Sequence, residues 1–97
     1  MIVSFGDRGT EALFHGRATK DARRFPPDVR RGAVRKLDMI NAAKELRDLR
    51  SPPGNHLEAL RGELSGSHSI RINDQWRIVF RWEGADAHEV RIVDYDA

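Results

Sequence analysis

Residues 66–82 alternate apolar and polar side chains on both sides of a short polar stretch, which is the pattern of a β-hairpin. One face carries only large apolar residues at period two: Ile70, Ile72, Trp76, Ile78, Phe80 and Trp82. A two-residue turn would pair Ile70 with Arg77 and mix the faces, whereas a loop over 73–75 pairs Ile70 with Ile78. Because register follows the buried pattern, we expect the longer loop.

The other face of this hairpin carries arginines. The same register places Arg71 directly opposite Arg77, and like charges in that position destabilise a sheet unless an anion lies between them. Phosphate suits this role, because an arginine fork binds two of its oxygens. The sequence therefore predicts an anion site on the face of the sheet that lacks the large apolar side chains.

A second concentration of positive charge lies in residues 17–36, where eight basic residues accompany two acidic ones although the net charge of the chain is only +2. Fourteen of the 17 basic residues are arginine, the type best suited to phosphate. Such a patch fits a nucleic acid, an acidic protein partner or simply a solvated helix face.

The composition indicates an ordinary globular chain, with 39% hydrophobic and 33% charged residues, and we expect one domain over 1–97. The absence of cysteine excludes disulfides and thiolate metal sites. No His, Asp and Glu spacing resembles a metal site, so no cofactor is expected. No apolar run approaches the length of a membrane span and no secretory leader is visible, which predicts a cytoplasmic protein without membrane contact.

The order of the patterns predicts an α+β fold. We expect a strand over 1–5, a short helix over 8–16, a longer helix from Pro26-Pro27 to about Ala43 and a helical turn over 43–49. An irregular strand over 57–61, the hairpin, a turn over 83–87 and a last strand over 88–95 follow. Two or three helices would cover one face of a curved antiparallel sheet and leave the other face open.

Matching the apolar faces of the last two strands pairs Phe80 with Ile92 and places Arg77 opposite Tyr95. With Arg71, these residues would form one cluster on the open face. We expect the side chain of Arg77 to face solvent there, so that its removal would leave folding intact.

Four motifs occur together in one known family. The segments LEALRG at 57–62, GSHSI at 66–70, QWRIVF at 75–80 and VDY at 93–95 resemble the HigB (host inhibition of growth) toxins of the RelE/ParE superfamily. The resemblance implies the RelE/ParE-like fold and an mRNA endonuclease that acts in the ribosomal A site without a metal. It also implies a HigA-like helix-turn-helix antitoxin as partner, through which alone the toxin would contact operator DNA.

The resemblance also implies roles for individual residues. It assigns catalysis to Arg61, Arg77, Asp94 and Tyr95. We expect the mRNA to contact His56, Glu58, His68, Arg71 and Gln75. Many family members have histidine where this chain has Glu58, and His56, two residues earlier, is the nearest substitute. A histidine that often follows the Asp-Tyr pair is replaced by Asp96. We expect the long helix to contact ribosomal RNA phosphate through Arg30, Arg31, Arg35 and Lys36.

Metal-free RNA cleavage uses the 2′-hydroxyl to attack the adjacent phosphorus. The reaction needs a proton acceptor, stabilisation of the phosphorane charge and a proton donor for the leaving oxygen. Arg77 and Arg61 suit the charge, but a guanidinium is too weak an acid to serve as a proton carrier. The candidates for proton transfer are Tyr95, His56, His68 and Glu58.

Two other interpretations remain open. ParE-like relatives share the fold and inhibit gyrase without catalysis, and an inactive homologue would retain only antitoxin binding and autoregulation. The departure at Glu58 favours the inactive homologue. The arginine and tyrosine cluster favours the nuclease, because a gyrase inhibitor needs no phosphate-binding groups on the sheet.

Overall fold

The structure, a computed structural model, describes residues 1–95, so Asp96 and its predicted correspondence lie outside the described residues, as does Ala97. The described part contains three helices, α1 (Arg8–Phe14), α2 (Lys20–Arg23) and α3 (Pro27–Ala42). Its four strands are β1 (Glu58–Ala59), β2 (Ser67–Arg71), β3 (Trp76–Glu83) and β4 (Asp86–Asp94). Short 3₁₀ turns form at Leu46–Arg50, Pro53–Asn55 and Gly62–Leu64. The strands make one antiparallel sheet in the order β1-β2-β3-β4, which confirms the α+β class.

The long helix α3 forms where the sequence predicts it. Pro27 occupies its first turn, where a missing N–H costs nothing. Its buried residues recur every three or four positions and pack into the core with the apolar face of the sheet: Val29, Ala33, Leu37 and Ile40. None of the helices in residues 1–95 is long and apolar enough to cross a membrane.

Helix α2 was not predicted, because four residues are too few to show a helical period. Its start is nevertheless fixed by a side chain, since Thr19 Oγ1 accepts a hydrogen bond from the backbone N–H of Ala22 at 3.1 Å. Asp7 does the same at the start of α1, where its carboxylate accepts from the backbone N–H of Thr10 at 2.6 Å. Helices α1 and α3 pack on the apolar face of the sheet, and α2 packs against α1.

The hairpin of β2 and β3 has the predicted register. Ile70 pairs with Ile78 and Arg71 with Arg77. Ile70, Ile78 and Phe80 are completely buried. The periodicity of the sequence was sufficient here, because only one register keeps the apolar face continuous.

The register of β3 and β4 differs from the prediction by two residues. Arg77 pairs with Val93 and Ile78 with Ile92, rather than Arg77 with Tyr95 and Phe80 with Ile92. Gly84, with φ of +63°, permits a tight turn between Glu83 and Asp86, which is shorter than the predicted turn over 83–87.

That tight turn alone would bring the wrong faces together. A β-bulge follows at the Val79/Arg81 step of the ladder, and Glu89 on the facing strand has φ of +54°. The bulge adds one residue to β4 and restores the parity of the pairing, so the apolar faces still match.

Both outer edges of the sheet are irregular. Residues 1–6 run parallel to β4 and make isolated bridges, with Val3 N donating to Ala87 O at 2.9 Å and Gly6 N to Val90 O at 2.8 Å. The predicted first strand is therefore present in position but not as a continuous strand. The predicted irregular strand over 57–61 is confirmed as the two-residue strand β1.

Candidate functional site

Arg77 lies on the face of the sheet opposite the helices, yet its side chain is only 8% exposed. Its Nε donates to Ser69 Oγ at 2.8 Å, and its Nη2 donates to the carbonyl oxygen of His56 at 2.6 Å. The expectation of a solvent-facing Arg77 is wrong, because the loop that precedes β1 folds over this part of the sheet. Nη1 has no hydrogen-bond partner within residues 1–95 and remains available to a ligand.

The covering loop is held in place by Asn55, which is fully buried. Its Nδ2 donates to the carbonyl oxygens of Leu49 at 3.1 Å and Ser51 at 3.3 Å. His56 follows in the left-handed region, with φ of 45°, and presents its carbonyl to Arg77. Sequence reasoning missed Asn55, since an asparagine after Pro-Pro-Gly indicates only a turn.

Lys36 completes this support from helix α3. Its ammonium donates to Asn55 Oδ1, and burial, together with the neighbouring charge of Arg35, lowers the pKa of Lys36. The Lys36 ammonium, which was predicted to contact ribosomal RNA, is thus already hydrogen-bonded to Asn55 in a partly buried position. We therefore leave Lys36 out of the surface that could contact RNA.

Replacing Asn55 with alanine should lower the free energy of unfolding by about 2–4 kcal/mol, because the buried carbonyl of Leu49, the partly buried carbonyl of Ser51 and the Lys36 ammonium lose their partner. For a chain of this length the melting temperature should fall by roughly 10–20 °C. Asn41→Ala is a matched control, since the Asn41 side chain accepts one exposed bond from Ile2 N at 2.9 Å. Equal melting temperatures for the two variants would show that Asn55 does not hold the loop.

The aromatic ring of Tyr95 lies over the Arg77 guanidinium, with 5.7 Å between Arg77 Cζ and the ring centroid. Tyr95 N donates to Gln75 O at 2.8 Å, so Tyr95 is opposite Gln75 and diagonal to Arg77. The register error of two residues therefore preserved the face, and the predicted contact between Arg77 and Tyr95 is present. Tyr95 is 45% exposed.

Two side-chain contacts lie at the end of the sheet next to Tyr95. Gln75 Nε2 donates to Asp94 Oδ2 at 3.0 Å, which places both predicted site residues beside Tyr95. Arg71 directs its guanidinium to the carboxylate of Asp74 in the hairpin loop. The facing arginines are thus balanced by a carboxylate of the chain itself. Because Asp74 is 96% exposed, an incoming phosphate could replace it at small cost.

Two predicted residues lie at the β1 end of the same region. Glu58 pairs with Ser69, so its exposed side chain shares the face of Arg77. Arg61 is exposed just after β1, and its guanidinium has no hydrogen-bond or ion-pair partner in the described chain. The structure brings neither of them into contact with the Arg77 and Tyr95 pair.

His68 lies on the opposite face of the sheet, stacked on Phe80 with 6.4 Å between ring centroids. It borders an open groove of about 380 Å³ lined also by Leu46, Arg47 and Leu57. The sheet therefore separates His68 from Arg77, and we exclude this predicted candidate from proton transfer at Arg77.

Burial lowers the pKa of His68 below its ordinary value of 6.5. The imidazole of His68 then binds a proton more readily in the unfolded chain than in the folded protein. The free energy of unfolding should therefore decrease as pH falls from about 7.5 to 5. Urea unfolding over this range should show a larger loss for the wild type than for His68→Gln. Parallel losses in the two proteins would contradict this effect.

The remaining predicted residues belong to helix α3. Arg31 and Arg35 are exposed on its outer surface, while Arg30 is partly buried beside a separate groove between the helices. Within residues 1–95, no group of three or more His, Asp and Glu side chains could hold a metal ion. The site therefore consists of a fixed guanidinium, an exposed phenol and nearby carboxylate and amide groups. Such a site can bind a phosphate and transfer a proton.

Comparison with known proteins gives one consistent family. Residues 3–96 match the family described as HigB-like toxin, a RelE-like toxin of type II toxin–antitoxin system HigB. Toxin HigB-1 of Vibrio cholerae is 39% identical over 82 residues, which is 84% of each chain. An uncharacterised protein of Haemophilus influenzae is 39% identical over 67 residues, 69% of this chain and 66% of that protein.

The fold is also found among solved structures. A YoeB/ParE toxin from Agrobacterium tumefaciens superimposes with a TM-score of 0.50 and 19% sequence identity, over 95% of this chain and 96% of the other. At that identity the likeness concerns the fold alone. It agrees with the RelE/ParE-like arrangement of helices on one face of the sheet.

Proposed function

Because the chain belongs to the HigB-like family of RelE-like toxins from type II toxin–antitoxin systems, we propose that it is a single-domain, metal-independent endoribonuclease. It cuts mRNA that is being translated on the ribosome, in the cytoplasm, and so inhibits translation. Its antitoxin neutralises it, and we propose a HigA-like helix-turn-helix protein in that role.

The contact between Arg77 and Tyr95 is the observation that best supports this proposal. In the proposed reaction the 2′-hydroxyl attacks the adjacent phosphorus, and Nη1 of Arg77 binds the oxygen on which phosphorane charge develops. The bonds to Ser69 and His56 hold the guanidinium in place before substrate arrives. Little reorganisation is then needed as the charge develops, which is the condition under which fixed charge accelerates a reaction most.

Tyr95 is the group proposed to move a proton. Its phenol is exposed beside Arg77, whereas a guanidinium is too weak an acid to exchange protons at neutral pH. A positioned acid or base contributes about 10²–10⁴-fold to such a reaction. The imidazole of His56 is exposed on the β1 side of Arg77, and it and the carboxylate of Glu58 are the alternative proton carriers.

The other residues have supporting roles in the proposal. Gln75 and Asp94 are hydrogen-bonded to each other beside Tyr95 and fix the end of the strand that carries it. Glu58 and Arg61 are exposed and can approach a bound RNA strand from β1. Arg31 and Arg35 would contact ribosomal RNA phosphate from the opposite side of the molecule, with an affinity that falls as salt is raised.

The test is induction of the protein in cells, followed by mapping of mRNA 5′ ends and a parallel assay of DNA supercoiling. We expect new 5′ ends inside coding regions at fixed positions within codons. A reporter mRNA whose start codon has been destroyed is the matched control, since it is not translated and should remain intact. DNA breaks with intact transcripts would identify a gyrase inhibitor, and the absence of both would identify an inactive homologue.

A further inference from the structure

A groove of about 240 Å³ lies between the three helices, on the side of the molecule away from Arg77. Its floor is apolar and consists of Leu13, Ala18, Ala22 and Val34. Val34 is 38% exposed, which is unusual for an aliphatic residue in the middle of a helix that packs on a core. We call this feature the arginine-rimmed groove.

Three arginines surround that floor: Arg17, Arg23 and Arg30. Arg23 Nη1 donates to the carbonyl oxygen of Ala18 at 2.7 Å, which fixes its guanidinium at the rim. Within residues 1–95 none of the three forms an ion pair with a carboxylate. An apolar floor inside a ring of unpaired cations is complementary to an apolar side chain flanked by carboxylates.

The chemistry of the floor favours a protein segment over RNA. Single-stranded RNA is held mainly by stacking of its bases on aromatic or guanidinium planes, and the floor of this groove is aliphatic. A pocket of aliphatic residues instead accepts an aliphatic side chain, with a few charged groups that set its orientation. Helix α3 therefore presents two distinct basic surfaces: Arg30 belongs to the groove, while Arg31 and Arg35 lie outside it.

We propose that the arginine-rimmed groove binds a segment of the antitoxin in which an aliphatic side chain is flanked by Asp or Glu residues. The aliphatic side chain covers Val34 and Leu13, and the carboxylates pair with Arg17, Arg23 and Arg30. This proposal depends on membership of a toxin–antitoxin family and not on the nuclease chemistry. Because the groove lies on the helical side, this segment leaves the face of Arg77 and Tyr95 uncovered.

The decisive variant is Val34→Lys, which removes the apolar anchor while it adds a positive charge. Binding of the antitoxin from the same operon, measured by calorimetry with purified proteins, should weaken by about tenfold or more. Val34→Ile keeps the aliphatic surface and should retain the affinity within about threefold. Arg30→Glu should weaken binding as strongly as Val34→Lys, and Arg31→Glu with Arg35→Glu is the matched charge control outside the groove.

A short single-stranded RNA separates the two classes of ligand. Val34→Lys should bind this RNA as tightly as the wild type or more tightly, because its charge has risen. If Val34→Lys keeps full affinity for the antitoxin, the proposal is overturned. It is equally overturned if this variant loses affinity for RNA instead, since the groove would then be a nucleic-acid site.

Thermal unfolding of the same variants distinguishes loss of the fold from loss of binding. Val34 is partly exposed and lysine is a good helix former, so melting temperatures should agree within about 3 °C. If Val34→Lys does not fold, Arg17→Glu and Arg30→Glu decide the question, since both change exposed or partly exposed guanidinium groups. No ribosome or cleavage assay enters these measurements, so failure of the proposed nuclease activity would leave their result unaffected.

Discussion

Arg77→Ala should slow mRNA cleavage by at least two orders of magnitude and also destabilise the protein. The loss of one fixed donor to a developing oxyanion typically lowers a rate by about 10²–10³-fold. The same change removes the donors to Ser69 Oγ and His56 O, and buried acceptors left without partners cost about 1–3 kcal/mol. Purified protein with translating ribosomes measures the first effect, and thermal unfolding measures the second.

Two further variants separate charge, geometry and fold. Arg77→Lys keeps the charge but loses the planar fork, so cleavage should remain reduced by about 10²-fold while part of the stability returns. Arg81→Ala is the matched control on the same strand and face, because Arg81 pairs with Glu83 in a partly exposed ion pair worth about 0–1 kcal/mol. Full cleavage by a folded Arg77→Ala protein would rule out the phosphorane role of Arg77.

Tyr95→Phe should reduce cleavage by about 10²–10⁴-fold, because the phenol hydroxyl is the proposed proton carrier. Stability should change by no more than about 0.5 kcal/mol. The hydroxyl has no hydrogen-bond partner among the described residues, and a phenyl ring can still lie over the Arg77 guanidinium. The same cleavage and unfolding assays measure both quantities.

Tyr95→Ala distinguishes the hydroxyl from the ring. It removes the cation–π contact as well, worth about 0.5–1 kcal/mol at an exposed site, so it should be less stable than Tyr95→Phe. An unchanged cleavage rate for Tyr95→Phe would reduce the role of Tyr95 to packing on Arg77. His56→Gln and Glu58→Gln would then become the next variants to test, since both side chains are exposed proton carriers on the β1 side of Arg77.

The sequence predicted those parts of the fold in which a single periodic pattern decides the outcome. Helix α3 and the register of Ile70 with Ile78 follow from the spacing of apolar residues, because any shift would expose them. These predictions needed no knowledge of how distant segments pack.

The features that were missed depend on contacts between segments distant in sequence. The burial of Arg77 follows from the path of the loop before β1, and that path depends on Asn55 and on Lys36 in α3. The residues next to each of these in the sequence form no pattern from which these contacts could be predicted. The register of β3 and β4 was predicted wrongly for another reason. A tight turn and a bulge each shift the pairing by one residue, and together they leave the alternation of apolar and polar residues unchanged, so the sequence pattern does not reveal them.

This compensation has a consequence for how such chains can vary. The turn at Gly84 and the bulge at Glu89 compensate for each other. Either one alone would turn every later side chain of β4 to the wrong face of the sheet, whereas the two together keep the apolar side chains on the helical face. Insertion of one residue in the turn should therefore be tolerated only with deletion of Glu89. Homologous chains should gain or lose the two features as a pair.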